Sequence, residues 1–310
     1  MSDPAIVIES LRKSYSQGWF RPNVQAVNGI SFSIPEGSVV GLIGPNGAGK
    51  TTTIFCLLGL LLPDEGDISI FGEAPGSQKA RRQTGYQSEI FHTYDFLKPE
   101  QALSLYGRLS GLPAVGLDNK IMRQLNRLGL GKALDQKVGG FSKGMKQRLG
   151  VAQALLHEPD LLILDEPFTG LDPQGRKQIS EIIFEEKEKG KTVFFSSHIL
   201  SDIERLCDDV IMLREGKVVL SGGLQNIMTT EESWMITVSG WKPEWEEDFK
   251  EISVDNVDGQ VVELECLQHQ KREVLQKLLA KEADITGIRK KSVSLEQLYM
   301  EMEEKTGEEV

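Results

Sequence analysis

Between residue 5 and about residue 222 the apolar positions switch repeatedly between the two-residue period of a strand and the three-to-four spacing of a helix, which predicts an α/β core. Ala5–Ser10 and Ala26–Ile34 read as early strands. Ser38–Ile43 reads as a buried strand entering a glycine-rich loop, with a helix from Gly49 behind it. From about residue 90 to 158 the period is helical, in Pro99–Leu109, Lys120–Leu130 and Lys143–Leu156, and β-branched runs are few. This stretch is expected to form an all-helical insert. The sheet pattern resumes in Leu161–Leu164, then a helix opening at Asp172-Pro173, a strand over Thr192–Phe195 and a hairpin around Arg214–Lys217. Gly222-Gly223 is a natural stop.

The pattern changes from about residue 229. Three of the four tryptophans (Trp234, Trp241, Trp245) and many acidic residues fall in this tail. Alternation over Trp234–Val238 and Val261–Leu267, a helical stretch over Lys271–Lys281, one more strand and a last helix from Ser294 predict a small α+β appendage. The expected organisation is a domain over 1–228, with its helical insert near 90–158, and an accessory domain over 229–310. At about 80 residues the second domain is near the lower size for independent folding, so its tryptophans are expected to fill a core rather than cage a ligand.

Composition narrows the partners. The longest apolar run, Ile54–Leu62, has nine residues, whereas a membrane span needs about 20. Met1-Ser2-Asp3-Pro4 has neither the basic start nor the apolar stretch of a secretory signal, so the chain is expected in the cytoplasm. Cys56, Cys207 and Cys266 are distant from one another and lack histidines at metal-ligand spacing, which predicts three reduced, buried thiols. The net charge is −11, from 35 Lys and Arg against 46 Asp and Glu, which argues against nucleic acid as a partner.

Gly44-Pro45-Asn46-Gly47-Ala48-Gly49-Lys50-Thr51, followed by Thr52, fits G-x-x-x-x-G-K-[ST] between an expected strand and an expected helix. Glycines let the backbone curl so that successive N–H groups face phosphate oxygens, and the helix behind adds its positive end. Lys50 is then placed for the β- and γ-phosphates and the Thr51 hydroxyl for Mg2+. The loop alone does not choose between ATPases, GTPases and kinases. A second acidic element follows: Leu161–Leu164 delivers Asp165 and Glu166 at its C-terminal end. Neighbouring strand residues point oppositely, so the two acids take different tasks, Asp165 at the metal and Glu166, just before Pro167, at the attacking water.

With Phe141-Ser142-Lys143-Gly144-Met145-Lys146-Gln147-Arg148-Leu149 preceding the Asp165 strand, the sequence resembles the ABC ATPase family over about residues 5–222. The resemblance implies the ABC-type fold of the P-loop NTPases, with a helical subdomain, and ATP with Mg2+ as ligands. It implies that Ser142 and Gly144 of the signature stretch contact ATP held by a second copy or a paralogous subunit. Lys143 and Met145 depart from the usual LSGGQ, although Lys143 keeps positive charge near phosphate. Ser142 is equally suited to capping its own helix.

Phe168-Thr169-Gly170-Leu171-Asp172 resembles the D-loop, and Asp172 before Pro173 is also a natural helix cap. Ser196-Ser197-His198 resembles the H-loop, which implies that His198 contacts the γ-phosphate; His92, His157 and His269 have no such setting. The family stacks an aromatic on adenine, and Tyr15 fits best, with Trp19 and Phe20 as competitors. At the Q-loop, Gly85-Tyr86-Gln87-Ser88-Glu89 places Glu89 at the aligned position, ahead of Gln87, as an oxygen donor near Mg2+. The signature variant and the short tail resemble ATPases paired with ABC-2 type exporters. The implied role is to energise an integral membrane permease from the inner face of the cytoplasmic membrane. The alternative is a cytosolic, non-transport ABC ATPase with a regulatory tail.

Overall fold

The computed structural model of the chain describes residues 4–16, 23–250, 252–258, 261–292 and 294–300. Trp19 and Phe20 lie outside the described residues. The chain divides into two compact units, Met1–Gly223 and Leu224–Val310. No described helix is long and apolar enough to cross a membrane.

The first unit runs β1 (Pro4–Tyr15), β2 (Val24–Pro35), β3 (Val39–Ile43), α1 (Lys50–Leu57), β4 (Glu65–Ile70), α2 (Gln78–Gln83) and β5 (Thr84–Gln87). It continues through α3 (Pro99–Leu109), α4 (Leu117–Arg127) and α5 (Lys143–Leu155) to β6 (Leu161–Leu164), α6 (Pro173–Glu188), β7 (Thr192–Ser197), α7 (Leu200–Leu206), β8 (Asp209–Arg214) and β9 (Lys217–Gly223). The main sheet has the order β5-β6-β7-β3-β8-β9, parallel except for the final β8–β9 hairpin. Every residue of β3, β6 and β7 is buried, as expected for central strands of a parallel sheet covered on both faces. A second, antiparallel sheet has the order β2-β1-β4.

One apolar core joins the two sheets: Ile6, Ile8 and Leu11 of β1 pack with Leu42 of β3 and with Ile54 and Leu57 of α1. Burying Ile54 and Leu57 anchors α1, and with it the loop in front, by about 3–6 kcal/mol. Between β5 and β6 the described elements are helical. The insert is tied to α6 where the Arg127 guanidinium reaches Glu186 Oε1 at 2.8 Å and Glu185 Oε2 at 2.5 Å.

Several elements depart from the sequence expectations. Strand β1 extends past Ser10 to Tyr15; Ser10 has φ 50° at a register shift, and this bulge breaks the alternation that marks a strand. Helix α4 lies three residues earlier than Lys120–Leu130, because Gly129, at φ 66°, stops it before Leu130. The edge strands β4 and β5 carry polar, short sequences with little periodicity. Cys56 and Cys266 are buried, but Cys207 is only half-buried: its backbone closes α7 at the surface while its thiol lies against β3 at Gly41. Burial raises the Cys207 pKa well above the ordinary thiol range.

The second unit runs α8 (Leu224–Met228), β10 (Thr229–Ser239), β11 (Ser253–Asp258), β12 (Val261–Leu267), α9 (Lys271–Ala280) and β13 (Asp284–Ser292), with residues 295–300 helical. Its antiparallel sheet has the order β11-β12-β10-β13. Ile236, Val238, Val262 and Leu264 form one apolar face, and Val274 and Leu278 of α9 cover it. Trp245 and Phe249 are buried in this core, with Trp241 in edge contact at 5.6 Å from Trp245. The tryptophans pack on the core; Trp234, at its margin, bonds Gln268 and lies under the Lys271 ammonium.

Candidate active site

Three adjacent strands, β6, β7 and β3, end on the same edge of the sheet, and each hands its next residues to one cluster. The loop after β3 is shaped by glycines that no other residue replaces. A Cβ on Gly44, at φ 154°, would stand 2.3 Å from the Leu213 carbonyl oxygen, and one on Gly49, at φ 104°, 2.4 Å from that of Ala26. Gly49 is the residue that turns the loop into α1, so Lys50 and Thr51 occupy its first turn. The Lys50 ammonium donates to the Gly44 carbonyl at 2.7 Å and the Pro45 carbonyl at 3.3 Å, and stands 3.6 Å from Glu166 Oε1.

Asp165 and Glu166 directly follow β6 and meet different partners. Asp165 accepts from Thr51 Oγ1 at 3.2 Å and from Ser196 Oγ at 2.6 Å. Burial raises the Asp165 pKa, the two hydroxyls oppose the rise, and the neighbouring Glu166 and Glu89 charges add to it. Glu166 leaves the strand at φ 49°, a left-handed conformation uncommon for a side-chain-bearing residue. The turn is held from both sides: Glu166 N donates to Ser196 Oγ at 2.9 Å, and Gln147 Nε2 donates to the Glu166 carbonyl at 3.0 Å. His198, following β7, sets Nδ1 at 2.7 Å from Glu166 Oε2. A carboxylate only accepts, so this nitrogen carries the proton.

Lys50, Thr51, Glu166 and His198 line a cavity of about 500 Å³ that contains the phosphate loop from Pro45 to Thr52, with Glu89 and Thr169 also around it. Tyr15 lies beside it, with its hydroxyl 3.4 Å from Thr52 Oγ1. Glu89 faces the cavity, whereas the Gln87 side chain is fully buried and turns its amide to the Ser88 carbonyl. Ser142, Gly144 and Asp172 are not among the residues that line this cavity. Ser142 caps α5, accepting from Met145 N at 3.2 Å, and Gly144 lies against Gly170 and Leu171. Asp172 caps α6 from Gly175 N at 2.9 Å.

The donor set suits a magnesium nucleotide. Mg2+ takes one or two protein oxygens and fills its shell with phosphates and water, and Asp165 and Thr51 already converge. Glu89, Asp165 and Glu166 place three carboxylates around the Lys50 ammonium, so a divalent cation carried by a polyphosphate would offset their repulsion.

Two groups lacked a role in the sequence reading. Ser196 ties both acids together, and Gln147 pins the turn at Glu166. The signal for Gln147 is a polar side chain on the apolar face of α5, 2% exposed beside Leu149 and Val151. Replacing Ser196 with Ala leaves a buried carboxylate oxygen and a buried N–H without their shared partner. The expected result is a loss of about 1–3 kcal/mol of stability with a roughly tenfold fall in kcat, checked by thermal unfolding and steady-state turnover.

A family model described as ABC transporter matches residues 27–169. The chain is 38% identical over 301 residues, 95% of itself and 98% of the relative, to the uncharacterized ABC transporter ATP-binding protein YxlF of Bacillus subtilis. It is 37% identical over 236 residues, 74% of itself and 70% of the relative, to the Nod factor export ATP-binding protein I of Ralstonia nicotianae. Among solved structures it is similar to an ATP-binding subunit of an ABC transporter, at TM-score 0.64 and 36% identity, covering 72% of this chain and 91% of that one.

Proposed function

The chain belongs to the ABC transporter ATP-binding proteins and is an ATPase of that family, and from this premise we propose that it energises a separate membrane permease, of the ABC-2 exporter type, from the cytoplasmic face. The observation that carries the ATPase chemistry is the convergence of Lys50, Thr51, Glu166 and His198 on one cavity, with Asp165 bonded to Thr51 beside it. Export as the direction is supported by the relative named for Nod factor export.

In this reading the N–H groups of the loop from Gly44 to Thr52 and the Lys50 ammonium bind the phosphates, and Tyr15 stacks on adenine. Thr51 and Asp165 would hold Mg2+, with Glu89 beside them, and the metal would supply positive charge next to the phosphates. Glu166 takes the proton of the attacking water, and His198 aligns it with the γ-phosphate. Ser142, Gly144 and Asp172, displaced from this cavity, serve the nucleotide of a second copy or a paralogous subunit. Two chains are thus needed for a complete site, and ATP favours the closed pair because it touches both.

Coupling to the permease runs through the segment after β5. Ser88 and Ile90, on either side of Glu89, line a groove of about 1090 Å³ that also contains Arg81, Arg82, Phe91 and Leu109. Its apolar residues together with Arg81 and Arg82 suit an amphipathic segment of a membrane partner. The test is purification of the tagged chain from detergent-solubilised membranes of its native cells. The expected result is a coeluting multispan membrane protein; recovery only from the soluble fraction, without one, would remove the transport reading and leave a cytosolic ATPase.

A further inference from the structure

Asp202, in the first turn of α7, is 4% exposed, and nothing in the reading above uses it. Its Oδ2 is a buried oxygen without a hydrogen bond. The charge is held instead by two arginines: Arg176 of α6 at 3.6 Å from Oδ2, and Arg205 of α7 at 3.4 Å from Oδ1. Arg205 also donates to Ser180 Oγ at 2.7 Å, and that hydroxyl donates to the Arg176 carbonyl at 2.8 Å, so the network closes on α6. Burying a carboxylate with one oxygen unbonded is costly. Burial pushes the Asp202 pKa up, and the charges of Arg176, Arg205 and His198 draw it down.

The placement ties two functional loops. Ile199, the N-cap of α7, directly follows His198, and Asp202 N donates to the Ile199 carbonyl at 3.3 Å, closing the turn next to the residue that carries the imidazole. Helix α6 starts directly after the segment that leads from Glu166 to Asp172. Arg176 and His198 line one small cavity of about 300 Å³. The Asp202–Arg176 pair therefore joins the loop bearing His198 to the helix behind Glu166.

We propose that Asp202 is a positioning residue for hydrolysis: gripped by Arg176 and Arg205, its carboxylate fixes the first turn of α7 and so holds the His198 imidazole on Glu166. This inference rests on the reading of Glu166 and His198 as the hydrolytic groups. A displacement near 1 Å at such a contact is worth up to about 100-fold in rate.

The test uses the full chain with MgATP. Asp202→Asn is expected to lower kcat by about 10- to 100-fold, with KM for ATP and the unfolding midpoint little changed. Asp202→Glu is expected to restore most of the rate, and Arg176→Met to reproduce the loss from the other side of the pair, which also covers the case of an Asn variant that does not fold. In a His198→Ala background, Asp202→Asn should add little, because the two act as one unit. Undiminished kcat in both Asp202→Asn and Arg176→Met, or losses that multiply with that of His198→Ala, would overturn the inference while leaving the hydrolytic reading intact. Normal turnover in His198→Ala alone would instead overturn the reading beneath it, and the inference with it.

Discussion

Glu166→Gln is expected to abolish most ATP turnover while leaving ATP binding in place. The substitution keeps the shape of the side chain and the left-handed turn at φ 49°, so the backbone bonds to Ser196 and Gln147 persist. It removes the basic oxygen that takes a proton from water. It also removes the anion that Lys50 meets at 3.6 Å and His198 at 2.7 Å. General-base catalysis is worth about 10²- to 10⁴-fold, so kcat should fall by that factor. Affinity for MgATP should stay the same or rise, because one negative charge leaves the vicinity of the γ-phosphate. With binding intact and turnover stalled, the ATP-bound pair should accumulate, and sedimentation in MgATP should show more dimer than the unsubstituted chain gives. Near-normal turnover in Glu166→Gln would remove Glu166 from the role of base.

That expectation depends on how Asp165 and Glu166 separate, and the sequence carried half of the reason. The alternation of a strand places consecutive side chains on opposite sides, which distinguishes a metal acid from a water-facing acid. It does not show that Glu166 has already left the strand in a left-handed turn, because the stabilising bonds come from Ser196 and Gln147, which are 30 and 19 residues away in sequence. The same contrast runs through the fold. Strands β3 and β6 are apolar along their whole length, and β7 over Val193–Phe195, because both faces are covered, and the chemistry-bearing residues lie at or just beyond their C-terminal ends. The phosphate loop was legible because its glycines answer to close backbone approach at Gly44 and Gly49.

Elements set by long-range pairing were not legible. The part of β1 beyond the bulge at Ser10 is defined by its partners β2 and β4 and has no clean period of its own. Strand β5, a four-residue edge strand, is recognised only by its pairing with β6. Asp202 belongs to the same class. In sequence it is one acid in a polar helix turn, and only the arrival of Arg176 from α6 marks it as a buried charge.

Lys50→Ala should fail at the opposite step, losing nucleotide affinity rather than turnover of bound nucleotide. The ammonium is 7% exposed and is ringed by the Gly44 and Pro45 carbonyls and the Glu166 carboxylate, all acceptors. Without it the cavity presents oxygen atoms and the charges of Glu166 and Glu89 to an incoming polyphosphate, with no fixed side-chain cation among the residues of the loop. Two charge-assisted hydrogen bonds to phosphate contribute about 3–6 kcal/mol together, so the dissociation constant for a non-hydrolysable ATP analogue should rise at least about 100-fold. The fold should survive, because Ile54 and Leu57 anchor α1 and the shape of the loop comes from Gly44 and Gly49. Lys50→Arg is not expected to rescue binding: a planar guanidinium is wider than the ammonium these carbonyls enclose. Calorimetric titration of both variants reads this directly. An unchanged dissociation constant in Lys50→Ala would mean that the loop from Gly44 to Thr51 does not hold the phosphates. The pairing of a variant that binds without turning over with one that does not bind separates the two halves of the site.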